Sequence, residues 1–318
     1  MIRAPFCNIE YWGSWIDYTI DRIKHMENIS RAPAENPKYA PQYAFQIVQK
    51  YWQLIFLRYS RGDRIEELGE YFPPLLHAWE HAKELHFEQF PVEEYQRKFD
   101  WSRNLDHYIV CFWLTGLALS LNLAEDQWLR LIALMGNEGQ DRLLDQVIAT
   151  RQHQRLIGDR ICHPKPYQRL LDAVNASPED RADLLKDFVE HWYLELNRPP
   201  RNKNTSDDVA VHERPYWYKY GEVNMAGGAY FGQWCVEAVA VAKAFYIDDY
   251  LCLGHPQYPG DLLRPGTTTP ADLTRLPKPL LKWQQSPIAE SVTPAPCREE
   301  GSGRSVKKSW LARIFKQH

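Results

Sequence analysis

The run His77-Ala78-Trp79-Glu80-His81 carries the sharpest catalytic spacing in the chain. On a helix, His77 and His81 lie one turn apart on one face, where two imidazoles can chelate zinc. Glu80 beside them could act as base, in the order used by inverted zinc peptidases. Such a site needs a third protein ligand. No downstream acid is singled out by its context, and His86 lies too far along the same helix. A zinc-dependent hydrolase built on His77, Glu80 and His81 is the competing enzymatic reading. The plainer one is a helix that turns Trp79 inward and its polar side chains outward.

Other acids have simpler explanations. Glu138-Gly139-Gln140-Asp141-Arg142 could do acid–base work, but its spacing fits a helix cap with acids at the positive end of the helix dipole. Asp248-Asp249, with Asp261 as a third oxygen donor, could hold a divalent cation. Acids beside a turn-rich loop also commonly accept from loop amides. Glu237 lies in an apolar helical pattern and, once buried, needs a hydrogen-bonding partner. The chain has no glycine-rich phosphate loop, no GxSxG elbow and no Cys/His dyad at a recognisable spacing. It reads as a binder and not an enzyme, and no cofactor is expected.

The elements that must position these residues are helical. Ile9 to Met26 places Trp12, Trp15, Ile16, Ile20 and Ile23 on one stripe, and Tyr43 to Tyr59 repeats the pattern. Asp63 and Glu66 have capping-box spacing for a helix from Ile65 to about Leu85. Pro73-Pro74 predicts a kink or a fresh start within it. Trp101 to Leu123 is the longest buried helix expected, and its apolar run from Tyr108 is short of the roughly 18–20 residues that span a bilayer. Ser177-Pro178-Glu179-Asp180 reads as a helix start. Tyr230 to Tyr246 reads as an apolar helix, followed by the turn-rich loop to Leu262. Little reads as strand, so the fold class is all-α.

The chain has 318 residues, 44% apolar and 25% charged, with 12 Trp and 18 Tyr. That composition is of a globular protein able to bury a large core. Its six cysteines form no CxxC pair, which argues against a zinc ribbon or a disulfide framework. The opening MIRAPFCNIEYWGSW lacks a basic start and apolar run, so no signal peptide is expected and a cytoplasmic location is. From Arg264 onward ten Lys/Arg stand against four Asp/Glu, a net +6. Residues 1–263, with 28 basic and 37 acidic residues, carry −9. Such a body repels nucleic acid and attracts basic partners. Residues 264–318 are proline-rich and expected to be disordered, ending in a short basic amphipathic stretch with Trp310, Leu311, Ile314 and Phe315.

Several runs resemble one family. Tyr230-Phe231-Gly232-Gln233-Trp234, Glu237 to Val241, Ile247-Asp248-Asp249 and Tyr258-Pro259-Gly260-Asp261-Leu262 look like the C-terminal domain of PoNi immunity proteins. Leu57 to Asp63, Ile65 to Leu68 and Tyr71-Phe72-Pro73 resemble the family's N-terminal domain. Tyr108 to Leu123 and Glu138 to Asp145 continue the match. The family usually has another aromatic at Gln233 and lacks the long tail.

The resemblance implies two packed helical domains that occlude a PD-(D/E)xK-like DNase toxin of bacterial type VI secretion. An acidic body would meet the toxin's basic DNA-binding surface as a phosphate mimic. The expected domains are residues 1–155 and 156–263, joined near 150–166, followed by the tail at 264–318. The candidate partner-binding residues are Asp248, Asp249, Tyr258, Asp261 and Glu222. The alternative is that Asp248, Asp249 and Asp261 only fasten their loop to the body. The implied partner is the toxin, with no nucleic acid and no stable membrane insertion.

Overall fold

The computed structural model describes residues 1–197, 215, 217–218, 221, 224–267 and 269–277. These form α-helices and short 3-10 turns, with no strand among the described residues. No described helix is long and apolar enough to cross a membrane.

Helices α1 (Ile9–Ser30), α2 (Ala40–Arg61) and α3 (Phe72–Gln89) pack in sequence. Asn8 caps α1 by accepting from the Tyr11 amide at 3.0 Å. The inward stripe of α1 is Trp12, Trp15, Ile16, Thr19, Ile23 and Met26, so the 3.6-residue period holds. Between α2 and α3 the expected single helix breaks. Ile65–Tyr71 is 3-10, and α3 starts afresh at Phe72 with proline in its first turn. Asp63 caps nothing, because its carboxylate is taken by Arg58 and Arg61.

After the short α4 (Val92–Lys98) comes α5 (Leu105–Ser120), capped by Asn104 and buried nearly all round. It begins four residues later than its apolar pattern suggested, and Trp101 lies in the preceding turn. Helices α6 (Glu125–Met135), α7 (Arg142–Ala149), α8 (Pro164–Asn175) and α9 (Arg181–Glu195) follow. Pro164 opens α8, and α9 starts at Arg181, directly after Asp180 of the SPED signal.

Helix α10 spans only Val236–Phe245. The helix expected from Tyr230 starts later because residues 230–235 are held out of helix by hydrogen bonds to distant side chains. Tyr11 donates to the Tyr230 carbonyl at 2.9 Å and Ser60 to the Phe231 carbonyl at 2.9 Å. The Trp234 indole donates to Ser60 Oγ at 2.9 Å. Gly232 sits at φ +98° between them, where a Cβ would run into Trp234 and Ser60.

Helix α10 then crosses α5 at Gly116, where a Cβ would lie 2.8 Å from Val236 Cγ1 and 3.0 Å from Ala240 Cβ. One hydrophobic core therefore runs through both expected parts. Trp217 and Tyr218 fill it, Trp217 lying against Trp113 and Trp192.

The start of the expected tail also packs. Arg275 donates to the Leu253 and Leu251 carbonyls at 3.0 and 3.1 Å, and Leu276 is buried. The later tail, with its basic amphipathic end, lies outside the described residues, as does the polar loop after Asn197.

Candidate partner-binding face

The structure separates the candidate residues. Asp249 is buried and takes the Tyr258 hydroxyl at 2.6 Å and the guanidinium of Arg264 on both oxygens. Tyr258 is buried with it, and burial followed by the Asp249 charge pushes its phenol well above the ordinary range. Asp261 accepts from Arg3 and from the Tyr59 hydroxyl. Arg3 also donates to the Tyr59 and Asp63 carbonyls at 3.0 and 2.7 Å and lies over the Tyr59 ring. Asp249, Tyr258 and Asp261 are thus hydrogen-bonded within the fold, and of these the two acids belong to the alternative that named Asp248, Asp249 and Asp261 as fasteners of the loop. Arg3 and Arg264, which complete these clusters, were not singled out from sequence because their partners are far away or across a turn.

Asp248 is different. It is exposed, and its carboxylate accepts the local Tyr250 amide at 3.0 Å. On either side Tyr246 is 95% exposed and Tyr250 60% exposed. The cluster of acids and aromatics from Tyr246 to Tyr258 thus divides between exposed and buried side chains. Glu222 lies outside the described residues.

The other chemistry-bearing residues have these surroundings. Glu80 is held by the Arg130 fork at 2.7 and 2.7 Å, which keeps its carboxyl below the usual range. His81 meets Ser30 Oγ at 3.4 Å, and His77 is exposed. No group of three His, Cys, Asp or Glu among the described residues is placed to hold a metal ion. Asp141 caps α7, accepting from the Leu143 and Leu144 amides at 3.0 and 2.7 Å, as its spacing suggested. It also takes the Tyr108 hydroxyl at 2.9 Å. Asp145 below it pairs with buried Arg155 at 2.8 Å.

Glu237 is fully buried in the joint between α5, α8, α9 and α10. Its carboxyl accepts from Tyr167 at 2.8 Å, Trp192 at 3.2 Å and Trp113 at 3.1 Å. Burial raises its pKa to about 7 against the pull of those donors.

Two family models match the chain in succession. Residues 3–133 match "PoNe immunity protein (PoNi), N-terminal" and residues 139–262 match "PoNe immunity proteins (PoNi), C-terminal". The chain belongs to the PoNi family. The YFGQW run that carried the resemblance is, in this PoNi protein, the clasp between its first helices and α10. A solved structure, "The Crystal Structure of Protein PA2201 from Pseudomonas aeruginosa", is similar in fold, with a TM-score of 0.58 and 18% identity. The alignment covers 82% of this chain and 89% of that one. No curated protein matches.

Proposed function

We propose that this immunity protein binds and neutralises a cognate DNase toxin of the PoNe class, delivered between bacteria by type VI secretion. It works in the cytoplasm by occupying the toxin's DNA-binding or active site, without catalysis. The observation that carries this is the family match over both halves of the chain. The net −9 of residues 1–263 supports an electrostatic approach to a basic nuclease surface.

The contact face includes the exposed Asp248, with Asp249, Tyr258 and Asp261 holding the loop behind it. Exposed charges steer association, while fastened ones keep the surface in one shape. The test is co-expression of the toxin's nuclease domain with and without this chain. The expected result is intact cellular DNA in the culture that also makes this chain and DNA loss in the one that makes the toxin alone. Equal DNA loss in both cultures would overturn the reading.

A further inference from the structure

Helix α10 ends on Tyr246, which adopts the left-handed conformation at φ 55°, ψ 38°. The Tyr246 and Ile247 amides both return to the Ala242 carbonyl. Glycine is the residue favoured at such a helix end, because any Cβ is strained there. Tyr246 is also 95% exposed, so packing does not offset that strain. Folding alone gives no reason for a tyrosine here. Strain kept at an exposed aromatic points to a use outside the fold.

The surroundings indicate which use. Tyr246 rims a crevice lined by Leu119, Asn122, Leu123, Thr150, Arg151 and Lys243. Arg151 is tied to the Leu123 carbonyl at 2.7 Å and to exposed Glu125 at 3.0 Å. Asp248, two residues on in the chain, and Tyr250 after it are also exposed. An exposed phenol ring with an exposed carboxylate two residues on in the chain is suited to an arginine or lysine of a partner. The ring face attracts the cation and the acid pairs with it. Tyrosine is also among the residues that dominate interface energies, and it has few rotamers to immobilise.

We infer that Tyr246 is the aromatic anchor of the toxin-binding face, seating a guanidinium or ammonium group of the toxin's basic surface beside Asp248. The inference rests on the immunity reading and names the residue that holds the partner.

The test compares the full chain with Tyr246→Gly and Tyr246→Phe. The probe is the toxin's nuclease domain made inactive at its catalytic acid, with binding read by calorimetry and melting by circular dichroism. Tyr246→Gly should melt at the same temperature or higher, because strain is relieved, while binding weakens roughly 30-fold. Tyr246→Phe keeps the ring and should bind within about threefold of wild type. Wild-type binding with Tyr246→Gly binding within twofold overturns the anchor and leaves the immunity reading standing. A lower melting temperature for Tyr246→Gly also overturns it, since the residue would then be structural. A wild-type chain that does not bind overturns both.

Discussion

Arg3 and Asp261 lie 258 residues apart in the chain and form a mostly buried ion pair. The pair joins the first residues, the end of α2 through Tyr59, and the loop that follows α10. The loop behind the candidate face is thus fastened to the opposite end of the chain.

Removing one partner leaves the other charge poorly solvated, which is costlier than the pair itself is worth. Arg3→Ala should lower unfolding free energy by about 3 kcal/mol, and Asp261→Asn by a similar amount. The double variant should cost much less than the two losses added, because neither charge is then stranded. Urea unfolding of the three variants checks this. Additive losses would show that the two residues do not act as a pair.

Glu237 makes stability depend on pH. Its folded pKa is raised to about 7 from 4.5, chiefly by burial, so the folded state holds the proton more tightly than the unfolded chain. The stabilisation is complete below about 4.5 and is lost as pH rises through about 7. Across that window the change is on the order of 3 kcal/mol. Glu237→Gln should flatten this dependence. It should also cost about 1 kcal/mol at low pH, because its amide faces an indole N–H from Trp113 or Trp192. Chemical unfolding at a series of pH values gives both numbers.

Gly116 and Gly232 should each resist replacement by alanine, for different reasons. At Gly116 the new methyl would wedge α5 from α10 and cost about 2 kcal/mol through overpacking. At Gly232 it meets Trp234 and Ser60 and also opposes φ +98°, so the cost should be larger, about 3 kcal/mol. Thermal unfolding ranks the two. Gly69, with nothing near its Cβ position, serves as the control and should be little affected.

Charge at the candidate face should act on the rate of association. Asp248→Lys should slow binding to the nuclease domain roughly tenfold at low salt and much less at high salt. Lys243→Glu, at an exposed cation in the same region, should speed it. Both variants should fold normally, since neither side chain is buried. Stopped-flow association at two ionic strengths reads the effect. Rates unchanged in both variants would place the contact elsewhere.

Helices were legible wherever local periodicity and caps agree. The stripe of α1, the buried run of α5 and the Asp141 cap of α7 all appear in the sequence as spacing. The apolar run from Tyr230 was misleading because apolarity cannot distinguish a buried helix from a buried non-helical segment. Ser60 and Tyr11 decide that choice from far away in the chain. The acids were ambiguous for a similar reason. Asp248 and Asp249 are adjacent, yet one faces solvent and the other binds Arg264 and Tyr258.

The sequence by itself determined the all-α class, the family and the excess of acid over base in the body, because each follows from local pattern, motif or composition. Only the tertiary structure decided that the YFGQW run is a clasp, that Asp249, Tyr258 and Asp261 point inward, and that Tyr246 stands out in a strained left-handed turn. Those outcomes depend on which distant donors and apolar faces meet once the chain is closed. Non-local hydrogen bonds and burial override local preference there, and no short window of sequence records them.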